Sequence, residues 1–312
     1  MGIVHADHDF DARLFEGASV AFGVFDGLHR GHRYLLDQAL ATAQGDAGCE
    51  GMLPRALALT FSVDPDEVLQ PHRTCKLMSN EERIAALADC GVDDVVVLPF
   101  TREFANLEPC EFLDRIFGRS TPRHLHVGDD FRFGAQAAGS GETLRRWGAP
   151  RGMQVHEHRL VEELQQPITA TRIRATLAQG NVREAADLLG HPYRLCGDVV
   201  RGRGDGADFG FATANLHIPP ERMVLGDGVY GGYAYVDGKR YKAAISVGIS
   251  PTFADEATAN VEAHLLDFAG NLAGRELCLE FVERLRPMIK FDSTDALIAQ
   301  VKSDIAWIRA NL

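Results

Sequence analysis

The stretch from Ser19 to Gln44, SVAFGVFDGLHRGHRYLLDQALATAQ, constrains this chain more than any other. The apolar run Val20 to Val24 predicts a buried strand. The amphipathic segment from Arg33 predicts a helix, so Phe25 to His32 must be the turn between them. Gly23, Gly27 and Gly31 permit positive φ and let a ligand approach the backbone, and the free N–H groups of a helix start attract anions. The turn therefore reads as a phosphate cradle. His29 and His32 can lie on one side of the first helical turn, where two imidazole donors could hold the phosphates of a nucleotide.

A glycine-rich turn or a lone histidine is usually structural. Strand, G-x-F-D-G-x-H-x-G-H and helix together are more specific, because they gather glycines, a carboxylate and two imidazoles at a strand's carboxyl end, where open α/β sheets bind ligands. At these residues the chain resembles the HxGH nucleotidyltransferases. Within them, FDGLHRGH is similar to the adenylyltransferase half of the bacterial bifunctional riboflavin kinase/FAD synthetases. The resemblance implies that Gly23, Phe25, Asp26, Gly27 and Gly31 bind ATP, and that His29 and His32 are catalytic.

The first half goes on alternating strand and helix patterns. Ala56–Phe61, Val95–Leu98 and His124–Val127 predict strands, Asn80–Asp89 and Pro109–Phe117 helices, and such alternation predicts a doubly wound parallel sheet. The third of these strands runs into Gly128-Asp129-Asp130-Phe131-Arg132-Phe133-Gly134, which resembles the V-G-x-D-F-R-F-G motif of the FAD synthetases. Gly128, Asp130, Phe131 and Arg132 are thereby implied to contact flavin or nucleotide. Ile168 to Arg174, ITATRIR, is similar to the family's I-S-S-T-x-I-R, which implies that Thr169, Thr171 and Arg172 meet ATP phosphates. The hydroxyls can equally cap a helix, but a guanidinium at a helix N-terminus opposes the macrodipole and is compensated by an anion. One departure is Val63-Asp64-Pro65, where the family usually has P-H-P.

At 312 residues, with 46% hydrophobic and 24% charged, the chain has room for two globular cores. Six scattered cysteines without a C-x-x-C pair predict reduced thiols and a cytosolic setting rather than a disulfide framework or a zinc site. The first residues lack a basic and an apolar leader region, and no apolar run is long enough to span a membrane. A net charge of −12 opposes nucleic acid as a partner but not ATP, which arrives with Mg²⁺.

Asn181–Leu189 predicts a short helix closed by Gly190, and His191-Pro192-Tyr193 breaks the pattern, so a domain boundary is placed near residue 187. Beyond it, β-rich runs at Leu195–Val200, Val229–Val236, Arg240–Val247, Asn260–Leu266 and Glu276–Val282 predict an antiparallel barrel, with Asp237-Gly238 as its clearest hairpin turn. A last helix from Thr294 to about Ala310 has Asp292 or Ser293 as cap and Leu297, Ile298, Val301, Ile305 and Ile308 as a core-facing stripe.

GFATAN (Gly210–Asn215), GISPTF (Gly248–Phe253) and EAHLLDF (Glu262–Phe268) make this half similar to the riboflavin kinase domain of the same family. The resemblance implies a kinase nucleotide loop through Gly204, Gly206 and Gly210, Mg²⁺ and phosphates held by Thr213 and Asn215, and Glu262 as base for the ribityl hydroxyl. Ala207, Ala212 and Ser246 depart from the family pattern beside these groups. The expectation is a bifunctional enzyme. Residues 1–187 would be an FMN adenylyltransferase and 188–312 a riboflavin kinase-like barrel, making FMN from riboflavin and then FAD from FMN with ATP and Mg²⁺. The alternative is a monofunctional adenylyltransferase whose barrel only binds flavin.

Overall fold

The computed structural model of the chain describes residues 2–6, 11–46, 55–70, 74–118, 120–201, 211–248 and 260–312. It divides into two compact units, Met1–Ala170 and Thr171–Leu312.

The first unit is built on six parallel strands: β1 (Gly2–His5), β2 (Ser19–Phe22), β3 (Ala56–Phe61), β4 (Asp94–Leu98), β5 (His124–Gly128) and β6 (Gln154–His158). Their order is β1-β4-β3-β2-β5-β6, and every neighbouring pair is parallel. The connections carry α1 (Arg30–Gly45), α2 (Pro65–Leu69), α3 (Asn80–Ala88), α4 (Arg102–Ala105), α5 (Pro109–Phe117) and α6 (Gly141–Gly148). Alternate residues of each strand face opposite sides, so the sheet holds two cores. Val20, Phe22, Leu59 and Phe61 pack with Phe112 of α5 and Trp147 of α6. Ala21, Ala58 and Val95 pack with Leu36 of α1 and Leu87 of α3.

The strand order locates the ligand crevice. Leaving β2, the chain turns to β3 on one side; leaving β5, which lies on the other side of β2, it turns away to β6. The carboxyl ends of β2 and β5 thus flank the topological switch point, where open α/β sheets take their ligands. A short antiparallel hairpin follows, β7 (Glu162–Glu163) with β8 (Gln166–Pro167).

The second unit begins at the second residue of α7 (Ala170–Ala178) and continues with α8 (Val182–Leu189), whose last turn is closed by Gly190 at φ 83°. Six strands follow: β9 (Tyr193–Val200), β10 (Ala214–His217), β11 (Gly228–Val236), β12 (Lys239–Gly248), β13 (Asn260–Leu265) and β14 (Glu276–Arg286). They close as an antiparallel barrel in the order β10-β13-β12-β11-β14-β9. Asp237 and Gly238, at φ 50° and 74°, make the β11–β12 turn, the left-handed pair that a two-residue hairpin of this twist requires. The chain ends in α9 (Thr294–Asn311), capped by the Ser293 side chain, which accepts from the Ala296 N–H.

Three expectations need correction. The first helix starts at Arg30 rather than Arg33, because His29 caps it. The apolar stripe of the last helix is core only toward its end, with Ile308 buried but Leu297 exposed. Strands β6 and β10 add to those that the apolar patterns single out. The thiols are not all reduced: Cys196 and Cys278 stand opposite each other in the β9–β14 register and form a disulfide. Side chains directly opposite in an antiparallel pair lie within bonding reach whatever their separation in sequence, here 82 residues. Cys90 and Cys110 are free thiols; Cys49 lies outside the described residues.

Candidate active sites

The turn after β2 is shaped by left-handed backbone at Phe25 (φ 64°), Gly27 (φ 75°) and Leu28 (φ 40°). Phe25 is fully buried and its ring meets His32 edge-on at 5.3 Å, which anchors an otherwise strained residue. His29 is the N-cap of α1: its Nδ1 accepts the His32 backbone N–H at 3.3 Å, so its ring proton resides on Nε2. A Cβ at position 31 would sit 3.2 Å from the His29 ring, so glycine there makes room for the capping imidazole. The two imidazoles stack, with centroids 3.6 Å apart and planes 17° apart.

Burial, then His29 and Arg83, hold the His32 pKa well below its ordinary value, so this imidazole is neutral near pH 7. Its Nδ1 is buried with no hydrogen-bond partner among the described residues. Asp26 ties the turn to a distant segment. Its carboxylate is 5% exposed and accepts the backbone N–H groups of Leu77 (3.0 Å) and Met78 (3.2 Å), fixing the turn to the segment before α3.

The second loop at the switch point leaves β5. Phe131 packs on Phe22 of β2 at 4.9 Å and on Phe133 at 5.7 Å, while Asp130 and Arg132 are exposed. Arg132 donates to the Phe131 carbonyl at 2.8 Å. Gly128 is the last residue of β5. At the N-terminus of α1, Arg30 donates to Glu163 of the β7–β8 hairpin at 2.6 Å. Ile168 lies close by as well, its carbonyl 3.7 Å from the space a Cβ on Gly31 would take. Thr169 immediately precedes α7, and Thr171 and Arg172 lie in its first turn, where Arg172 pairs with Glu184 of α8 at 3.6 Å. Asp64, which replaces the family's histidine, caps α2: its carboxylate accepts from Asp66 N, and its own N–H donates to Glu67.

On the barrel, strand register unites residues far apart in sequence. Asn215 of β10 and Ser246 of β12 both stand opposite Glu262 of β13. Register partners share a face. Their neighbours Ala214, Leu216, Val261, Ala263, Ile245 and Val247 are buried in the barrel, so Asn215, Glu262 and Ser246 form one outward row. Thr213, at the mouth of β10, is exposed. Gly204, Gly206, Gly210 and the segment Ile249–Phe253 lie outside the described residues.

Arg83 escaped the sequence reading. It is 2% exposed, and its guanidinium reaches the ends of β2 and β3. The available signal was its position one turn before Leu87, on the stripe where a core-facing helix calls for an apolar residue.

A glycine-rich turn with paired imidazoles at the switch point of a parallel sheet, in one chain with a barrel bearing an oxygen-donor row, fits the class of nucleotide-handling transferases. The FAD synthetase family model matches residues 11–172 and the riboflavin kinase model residues 189–312. The bifunctional riboflavin kinase/FMN adenylyltransferase of Pseudomonas fluorescens is 33% identical over 94% of this chain and 93% of its own. That of Escherichia coli K12 is 34% identical over 97% and 96%. A crystal structure titled macrolide-efflux protein, from Streptococcus pneumoniae, matches with TM-score 0.82 and 29% identity over 99% of both chains. Among the described residues no helix is long and apolar enough to cross a membrane. The chain belongs to the bifunctional riboflavin kinase/FMN adenylyltransferase family.

Proposed function

We propose that the chain phosphorylates riboflavin to FMN on its barrel and adenylylates FMN to FAD at the β2 turn, using ATP in both steps. The observation that carries the reading is the stacked His29–His32 pair at the switch point, with matches to both family models in one chain.

In the adenylyl step a phosphate oxygen of FMN attacks the α-phosphorus of ATP, a P–O–P bond forms, the bond to the β-phosphate breaks, and pyrophosphate leaves. Positioning and donors aimed at the developing charge are sufficient. His29 supplies its Nε2–H, and His32 stays uncharged. Gly23, Gly27 and Gly31 let the backbone approach, and Gly128, Asp130, Phe131 and Arg132 border the flavin side. Thr169, Thr171 and Arg172 hold phosphate oxygens.

In the kinase step Glu262 takes the proton of the ribityl 5′-hydroxyl as its oxygen bonds to the γ-phosphorus and ADP leaves. Thr213 and Asn215 offer a hydroxyl and a carboxamide oxygen, hard donors that suit Mg²⁺. They would hold the cation together with substrate phosphates and water, where it offsets phosphate charge. Among the described residues no group of three His, Cys, Asp or Glu could hold a metal, and a cation bound mainly through phosphates needs none. Adenylyl transfer belongs to residues 1–187 and phosphoryl transfer to 188–312, in the cytoplasm.

Incubation with riboflavin, ATP and Mg²⁺, with flavins resolved by chromatography, tests the whole reading. Wild type yields FMN and then FAD. Glu262→Gln leaves riboflavin unchanged but converts supplied FMN, whereas His32→Ala accumulates FMN, its FAD formation falling about 10²–10³-fold. Wild-type FAD synthesis by His32→Ala, or FMN formation by Glu262→Gln, removes the corresponding assignment.

A further inference from the structure

We propose that Arg83 is a positioning residue of the adenylyl-transfer turn: its guanidinium ties the ends of β2 and β3 to α3 and fixes the backbone from which His29 and His32 are presented. The inference rests on the assignment of those two histidines to adenylyl transfer.

Arg83 Nη1 donates to the Val24 carbonyl at 2.9 Å and to Thr60 Oγ1 at 2.6 Å; Nη2 donates to the Phe61 carbonyl at 2.7 Å and to Asn80 Oδ1 at 3.2 Å. Thr60 Oγ1 in turn donates to the same Val24 carbonyl at 3.2 Å. Val24 immediately precedes the left-handed Phe25, so the carbonyl leading into the strained part of the turn is held by two donors. The turn is gripped from a second side by the Asp26 carboxylate on Leu77 and Met78 N–H, just before α3. One short segment, 77–83, therefore sets both ends of Phe25-Asp26.

Packing alone does not call for arginine here. An apolar side chain would fill a buried helix position without desolvating a cation, as Leu87 does one turn later, fully buried. The guanidinium does what no apolar group can: it satisfies several acceptors in one plane and brings positive charge under an anion-binding turn. Asp26, Asp64, Glu67 and Glu81 surround that charge electrostatically, and burial lowers the Arg83 pKa from its ordinary value. Arg83 also disfavours imidazolium at His32, as burial and His29 do.

The test uses the full chain. FAD formation from FMN and ATP is followed from neutral pH down to the acid limit of folding, with FMN formation from riboflavin as internal control and thermal unfolding alongside. Arg83→Met is expected to lower kcat for FAD about 10²-fold, the scale of a small misplacement of reacting groups. Its acid limb should move to higher pH while FMN formation stays at the wild-type rate. Arg83→Lys keeps the charge but cannot span the same acceptors, so it should retain the wild-type acid limb and recover only part of kcat.

A folded Arg83→Met with wild-type kcat overturns the proposal. So does a loss that lowers both activities together and leaves the acid limb in place, which is the mark of a merely structural residue. If Arg83→Met does not fold, Thr60→Val and Asn80→Ala, each removing one acceptor, decide: lowered kcat for FAD in both supports the proposal, and wild-type kcat in either overturns it. His32→Ala separates the two levels. Wild-type FAD formation there overturns the histidine assignment itself, whereas collapse there with unaffected Arg83 variants overturns this inference alone.

Discussion

At residue scale, His29 is a helix cap to which the proposed reaction gives a second task. Its Nδ1 caps α1 by accepting the His32 N–H, and this leaves the ring proton on Nε2, the donor proposed above for a phosphate oxygen. Histidine is outside the usual cap set of Ser, Thr, Asp and Asn, which is why the helix start was legible only to within a turn, although the pairing of the two imidazoles was legible from their spacing. The two tasks are separable by substitution. His29→Ala should cost about 1 kcal/mol of stability through the lost cap and about 10²–10³-fold in FAD formation. His29→Ser should return the stability and none of the rate. Thermal unfolding beside a steady-state assay checks this; recovery of FAD synthesis by serine would mean that His29 acts only as a cap. Asp26 teaches the complementary lesson. Its carboxylate accepts the backbone N–H groups of residues 77 and 78, a long-range tie that no local pattern could reveal.

At the scale of elements, β5 and β6 carry a ladder of imidazoles beneath α1. His124 Nδ1 lies 3.0 Å from His156 Nε2, and His126 Nδ1 lies 2.9 Å from His158 Nε2. Asp46 meets His124 Nε2 at 3.0 Å, Ser19 meets His126 Nε2 at 3.2 Å, and Tyr34 sits edge-on to His158. Burial is the main cause that lowers His126, to about 3; His156 and His158 are lowered from the ordinary value too, again mainly by burial. The folded form therefore needs these rings neutral. Its stability is complete above the unfolded imidazole value near 6.5 and is lost as pH falls from there toward about 3. His126 alone should contribute a slope approaching about 1.4 kcal/mol per pH unit across that window. Urea unfolding of wild type and His126→Gln at pH values on either side of about 6 measures it. A wild-type slope equal to that of the variant would show that the ladder is not the acid-sensitive element. The β5 strand itself was legible, but the ladder was not, because β6 is the polar run QVHEH and carried no apolar signal.

At the scale of the whole molecule, the division into two halves was legible from the change of pattern near residue 190, and so was the closure of each half around its own core. What sequence periodicity could not assign is the allegiance of α7 and α8. The two family models leave residues 173–188 to neither side. Thr171 and Arg172 at the start of α7 belong to a motif of the adenylyltransferase family, whereas packing draws both helices to the barrel. Val182, Ala185, Leu188 and Leu189 of α8 are buried, and α8 packs on β9 and β14. Arg183 pairs with Glu283 of β14. The Gly226 N–H donates to the Leu177 carbonyl at 3.0 Å, and Arg284 Nη1 donates to the Gln179 carbonyl at 3.1 Å. A fragment starting at residue 188 keeps Leu188 and Leu189 but sheds the rest, including the buried side chains of Val182 and Ala185. Losing the burial of one valine-sized and one smaller side chain costs about 2–4 kcal/mol. Residues 171–312 are therefore expected to fold cooperatively and make FMN from riboflavin, and residues 188–312 to unfold at a clearly lower midpoint with weaker kinase activity. Thermal unfolding of the two fragments, with FMN formation assayed on each, is the check. Equal midpoints would assign α8 to the adenylyltransferase side, and the seam of stability would then coincide with the seam of chemistry near residue 187.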